Sequence, residues 1–314
     1  MIKHAAAAVL AIVTVAAAVV GCSDADSDVR GLVLGSTDAP EMQVMTQIYA
    51  GALRNAGNAV SETTRTGSYS DLLDDMDATS VDLFPAFSGR LLEQLAPQLT
   101  PATPDDVYHD LNRALPQGVS VGDATMVTAT PQVFVAARVA ETGHLADLTD
   151  CRRLPEALPL VVVGKSDESA RTAFVGAGCR FGSVQEVPTV TEAVDRVASG
   201  SAVGLLTPLE VAGEDAEGAA GQIRALQPAE PAGKSGPDAS QAPGASTSDT
   251  LRGARAEQLV PVYRTAALGR DQVKTINTVA GEITTADLAT LARRAQRGED
   301  PHELAVTWLG EHGL

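Results

Sequence analysis

Short apolar runs alternate with capped amphipathic helices over most of this chain, and that alternation constrains the fold more than any other feature. Gly31-Leu32-Val33-Leu34-Gly35 reads as a buried strand, with Ser36-Thr37-Asp38 in capping position and Pro40 in the first turn of a helix. Val44, Met45, Ile48, Tyr49, Ala52 and Leu53 then recur at helical spacing until Gly57 stops the run. Residues 59–64 read as the next strand. A short helix carries Leu72, Leu73 and Met76, and Val81-Asp82-Leu83-Phe84-Pro85 is a strand closed by proline. Helical segments around 91–95 and 105–115 complete a first α/β unit.

A second unit of the same kind begins near Thr128. It has an apolar run at 133–137, a fully buried strand Leu160-Val161-Val162-Val163, a helix over 168–177, a strand over 184–187, a helix over 192–198 and a strand over 202–206. Periodicity then disappears over 211–250. From Gln227 to Thr250 the chain is a mixture of Pro, Ala, Gly and Ser, which reads as a disordered low-complexity loop; its bounds are set at 211–255. The pattern returns at Leu259-Val260-Pro261-Val262-Tyr263. Helix starts of capping-box character follow at Thr284/Asp287 and at Asp300-Pro301-His302-Glu303, and Leu304, Trp308 and Leu309 mark the apolar side of the last helix.

The N-terminus reads as a processing signal. Lys3 precedes an apolar run over 5–20 that ends in Val19-Val20-Gly21-Cys22, the pattern of a secretory signal peptide at 1–21. The run is shorter than the roughly 20 residues of a spanning helix. The last four residues resemble a bacterial lipobox, which predicts cleavage before Cys22, acylation of its sulfur and an extracytoplasmic, membrane-anchored chain. A polar tether over 22–30 follows. Export into an oxidising compartment makes a disulfide between Cys151 and Cys179 one reading, and two buried free thiols the other.

Composition removes several function classes. Forty acidic residues against 23 basic ones give a net charge of −17, so a groove tracking nucleic-acid phosphates would work against the field of the whole molecule. Neither the G-x-S-x-G elbow of a hydrolase nor a phosphate-binding P-loop is present. His109, His144, His302 and His312 are scattered in polar contexts and read as surface residues, without metal-ligand spacing. Asp71, Asp74, Asp75 and Asp77 read as a solvated helix face. No catalytic constellation, metal or cofactor is expected.

Local sequence resembles the substrate-binding proteins of quaternary-amine ABC importers, the ProX/OpuAC-like family of glycine betaine and choline uptake. The resemblance rests on Gly35-Ser36-Thr37-Asp38 before a helix, Glu41, Gln47-Ile48-Tyr49-Ala50, and Gly67-Ser68. It rests further on Val81-Asp82-Leu83-Phe84-Pro85-Ala86-Phe87-Ser88-Gly89, where the family has D-L-Y-P-E-Y-T-G, and on Asp147-Leu148, Val260-Pro261-Val262 and the C-terminal helix from Asp300. It implies an α/β clamshell of two lobes with a ligand cleft and hinge between them: 30–127 plus 209–314 in one lobe, 128–208 in the other, and the hinge near Thr207 and Pro208. It implies a monomer that binds a small polar or quaternary-amine osmoprotectant and delivers it to a permease with ATPase subunits. A non-transport lipoprotein that keeps the fold as a sensor or interaction module is the alternative.

In this family aromatic rings hold a trimethylammonium cation by cation–π attraction. Phe84 and Phe87 occupy the two aromatic positions of the hallmark, while the further tyrosines expected of the cage fall on Val133 and Leu205, and Arg90 stands after the glycine. An arginine in the cleft favours an anionic or hydroxyl-rich ligand. Both rings have a reading as core side chains, which strand alternation favours for Phe84 and which leaves Phe87 the better pocket candidate; Ser36 and Thr37 read also as plain helix caps, and Lys165 with Ser166 as a surface loop. The candidate ligand-binding set is Ser36, Thr37, Phe84, Phe87, Ser88, Arg90, Val133, Lys165, Leu205 and Thr207.

Overall fold

The computed structural model describes residues 30–155, 158–214, 218–228 and 253–314. The signal peptide, Cys22, the tether up to residue 29 and most of the expected low-complexity loop lie outside the described residues.

In chain order the elements are β1 (Gly35–Ser36), α1 (Pro40–Asn55), β2 (Arg65–Thr66), α2 (Tyr69–Asp77), β3 (Leu83–Phe87), α3 (Ser88–Leu95), α4 (Pro104–Ala114) and β4 (Val119–Val121). Then follow β5 (Gln132–Ala136), α5 (Ala137–Gly143), β6 (Leu160–Val163), α6 (Glu168–Gly176), β7 (Val184–Val187), α7 (Val190–Ala198), β8 (Val203–Leu206) and α8 (Pro208–Ala212). The described chain closes with β9 (Ile223–Ala225), β10 (Leu259–Arg264), α9 (Arg270–Glu282), α10 (Thr285–Gln296) and α11 (Pro301–His312).

Two sheet systems result. In the first, β10 lies between β3 and β4 and is antiparallel to both, while β1 pairs in parallel with β2 and is tied to β3 by a bridge from Leu34 to Leu83. In the second, five strands run in the order β7-β6-β8-β5-β9; β6 is parallel to β7 and β8, and β5 is antiparallel to its neighbours. Leu160, Val161 and Val162 therefore sit inside this sheet, buried from both faces.

Strand alternation divides the core of the first system. Leu83 and Phe87 point with α1, α9, α10 and α11 to one side, and Phe84 and Ala86 point with α2, α3 and α4 to the other. Trp308 and Leu309 of α11 close the first of these cores against α1. The five-stranded sheet has a core on each face, one containing Val133, Leu160 and Phe174, the other Phe134, Val161 and Val194. Residues from Gly31 onward form one compact unit, and among the described residues no helix is long and apolar enough to cross a membrane.

Three expectations are corrected. The segment 211–255 is not wholly without structure: Ala219–Gln222 form a 3-10 turn, β9 pairs with β5, and Leu226 is buried in the core of the five-stranded sheet. Residues 223–226 therefore join that sheet and do not belong with the first lobe as expected. The N-cap of α1 is Ala39, which makes no side-chain cap, so Ser36 and Thr37 are not its caps, although Pro40 does occupy the first turn. The second strand pairs at Val60 and at Arg65–Thr66 only, so most of 59–64 is irregular.

Candidate functional site

The ends of β3 and β6, the residue after β8 and the starts of α3, α7 and α8 converge on a cavity of about 270 Å³. In α/β sheets ligands bind at such strand ends, because helix starts and loops face a common crevice there. Phe87 closes β3, Arg90 lies in the first turn of α3, Val163 ends β6, Val190 opens α7, and Thr207 caps α8. Glu41 from α1, Glu210 and Glu214 near α8, and Arg293 and Gln296 from α10 supply the remaining polar lining.

Each side chain is set by local structure. Tyr69 stacks on Phe84 at 6.1 Å, and its hydroxyl accepts the Phe87 N–H at 2.9 Å, fixing the end of β3; burial pushes that phenol up to about 12. The Arg90 guanidinium lies over the Phe87 ring, 5.5 Å from its centroid. Thr207 and Glu210 form a capping box: the Glu210 carboxylate accepts the Thr207 N–H at 2.7 Å and the Thr207 hydroxyl accepts the Glu210 N–H at 3.1 Å. Burial raises the Glu210 carboxyl above its ordinary range, partly countered by hydrogen bonds to that carboxyl from the Thr207 N–H and side chain and by Arg90.

Glu257, just before β10, ties the site to the crossing between the sheets. Its carboxylate accepts the Arg90 N–H at 2.9 Å, its own N–H donates to the Thr130 hydroxyl at 2.8 Å, and its carbonyl accepts the Ala129 N–H at 2.8 Å. A side chain at position 89 would meet the Ala256 carbonyl at 2.5 Å and Glu257 Oε1 at 2.7 Å, which explains the glycine of the Phe87-Ser88-Gly89 stretch.

Burial pushes the Glu257 carboxyl up to about 7 from its ordinary 4.5, against the opposing pull of Arg90 and Arg255. The folded chain then binds a proton that the unfolded chain has released between those pH values. Stability should be highest below about 4.5 with respect to this group, fall by up to about 1.4 kcal/mol per unit as pH rises through the window, and level off above 7. Glu257→Gln keeps an acceptor for the Arg90 N–H without the charge, so urea midpoints at pH 5 and pH 8 should converge in the variant. An equal pH slope in both proteins would count against this.

Of the ten candidate residues, Phe87, Arg90 and Thr207 line the cavity. The other seven do not. Phe84 is fully buried in the core with Leu72 and Leu91, because alternation turns it away from Phe87. Val133 and Leu205 face each other across β5 and β8 and fill the core of the five-stranded sheet. Ser88 is buried and accepts the Gln258 N–H, and Ser36 donates to the Thr37 carbonyl. Thr37 is half-buried and Lys165 is exposed, both away from the cavity lining. The cysteines are joined in a disulfide, with Cα atoms 4.8 Å apart.

Glu210, Glu214, Arg293, Gln296 and Glu257 were not legible as site residues. Thr207-Pro208-Leu209-Glu210 carries the capping-box pattern that could have found Glu210; Arg293 has no comparable local signal.

Comparison with known proteins agrees with this geometry. Residues 30–185 match the family described as the substrate binding domain of ABC-type glycine betaine transport system. Similar solved structures include a glycine betaine/carnitine/choline ABC transporter protein, with 14% identity, TM-score 0.68 and coverage of 90% of this chain and 98% of that one. Apo YehZ from Escherichia coli is similar at 17% identity and TM-score 0.63, covering 90% of this chain and 99% of its own. Lactococcal OpuAC, closed on glycine betaine, is similar at 11% identity and TM-score 0.51, covering 90% and 96%. No curated protein sequence matches the chain. These likenesses give a two-lobed binding-protein fold, and through residues 30–185 the chain belongs to the family of substrate-binding domains of ABC-type glycine betaine transport systems.

Proposed function

We propose that this chain is the extracytoplasmic receptor of an ABC importer, anchored through an acylated Cys22, that captures a small polar solute between its lobes and hands it to a permease. The single observation that carries the reading is that one cavity is lined from both sheet systems, by Phe87 and Arg90 on one side and Val163, Val190 and Thr207 on the other. A solute touching both sets gains its full contacts only when they close on it, so its differential affinity shifts the population toward the closed form. The polar stretch 22–30 serves as the leash to the membrane. The lobes we assign are the β3-β10-β4 system with its helices and the five-stranded sheet, exchanging near the bridge from Thr128 to Gln258.

A thermal-shift panel on the processed chain carrying Cys22→Ser tests the reading. The panel holds glycine betaine, choline, carnitine, amino acids, polyols and sugars. A solute present at 100 times its Kd should stabilise the fold by about 2.7 kcal/mol. Silence across the panel would favour a sensor or interaction module over a receptor.

A further inference from the structure

The cavity carries a cation of its own on its aromatic surface. Phe87 is the one ring among the described lining residues, and the Arg90 guanidinium lies over it at 5.5 Å. Among the described residues neither the Arg90 nor the Arg293 side chain has an ion-pair or hydrogen-bond partner. The acids of the same lining are partly engaged: one Glu210 oxygen takes the Thr207 N–H, and one Glu214 oxygen takes the Thr191 hydroxyl at 3.0 Å. Glu41 adds a third carboxylate to the same lining.

A quaternary ammonium ion suits this lining poorly. It binds through ring faces, and the available face is already covered by a like charge. It also has no N–H to give the glutamates. A carboxylate, by contrast, matches the planar fork of a guanidinium.

We propose that Arg90, seated on Phe87, is the specificity determinant of this cleft: with Arg293 it selects a small zwitterion by its carboxylate, the glutamates take that zwitterion's N–H-bearing ammonium, and quaternary amines are turned away. The proposal rests on the solute-receptor reading above and names the substrate class of that site.

Calorimetric titration of the processed chain with two probes tests it: 4-aminobutyrate, which has a carboxylate and an N–H-bearing ammonium, and choline, which has neither. Wild type should prefer 4-aminobutyrate. Arg90→Ala should weaken that probe at least about tenfold, the loss of a charge-assisted pair, and strengthen choline by a similar factor as the ring is uncovered. Arg90→Lys, which keeps the charge and loses the fork, should fall between the two. Arg90 is exposed, so the variants should still unfold cooperatively, with the urea slope of wild type. Preference for choline in wild type, or a preference unchanged by Arg90→Ala, overturns the proposal, as does silence to both probes. A polyol or sugar that shifts the thermal midpoint while both probes are silent overturns the role of Arg90 and leaves the receptor reading standing; silence to every solute removes both.

Discussion

Asp82→Ala should destabilise the chain by about 3–5 kcal/mol, the cost of leaving a buried charge without its partner. Asp82 is only 3% exposed and holds three strands together at once. One carboxylate oxygen accepts the Val33 N–H at 2.8 Å, just before β1; the other takes Arg264 Nε at 3.2 Å and Nη2 at 2.5 Å from the end of β10. The Asp82 carbonyl accepts the Arg264 N–H at 3.0 Å, and Arg264 Nε also reaches the Val81 carbonyl at 3.2 Å. Truncation strands the largely buried guanidinium and orphans the Val33 amide. Asp82→Asn keeps an acceptor for Val33 while losing the charge, so it should cost less than alanine. Urea unfolding reads both: the midpoint should fall with an unchanged slope. A loss under about 1 kcal/mol for the alanine variant would mean that the ion pair is merely tolerated in the fold.

The same residue shows what could be read from the sequence. Asp82 is visible as the acid of the Val81-Asp82-Leu83-Phe84-Pro85 stretch, yet its work is structural, because it lies just before the start of β3, at the opposite end of the strand from Phe87. Element types were legible wherever period and punctuation agreed: the run 160–163 is a strand, 168–176 a helix after an Asp167 cap, and Thr284 and Asp300 start helices as their side chains suggest. β9 was not, since three residues on a sheet edge carry too little period to stand out beside a Pro/Gly/Ser-rich stretch. The site was legible in part. Phe87 could be separated from Phe84 by alternation alone. Glu210 and Glu257 could not be separated from the many solvated acids of a chain with net charge −17, because burial and not residue type gives them their role. Val133 and Leu205 were placed by resemblance, and the pleat sends both into the sheet's core. Among the described residues Phe87 is then the one ring of the cavity lining, with an arginine over it.

Reduction of the Cys151–Cys179 disulfide, or its replacement by Cys151→Ala with Cys179→Ala, should cost roughly 3–4 kcal/mol from the closure entropy of a loop spanning 28 residues. Cys151 sits in the 3-10 turn Leu148–Arg153 and Cys179 follows α6, both within the core that contains Leu148, Leu160 and Phe174. The closed loop holds β6 and α6, the strand inside the five-stranded sheet and the helix packed on it. The constraint therefore acts on the strand inside that sheet, whose two partners, β7 and β8, both lie later in the chain. Comparing urea midpoints of the oxidised chain, the reduced chain and the double alanine variant separates the cross-link from any effect of the reductant; equal midpoints in the oxidised and double-alanine forms would refute the stabilising role. Combining the double alanine change with Asp82→Ala carries the argument one step further. The two lesions lie in different sheets with no shared partner, yet residues from Gly31 onward are one compact unit. Their losses should add to within about 0.5 kcal/mol in a single transition. Two separate transitions, each moved by one lesion alone, would mean instead that the lobes unfold independently and that the cleft between them is held by less than the cores on either side.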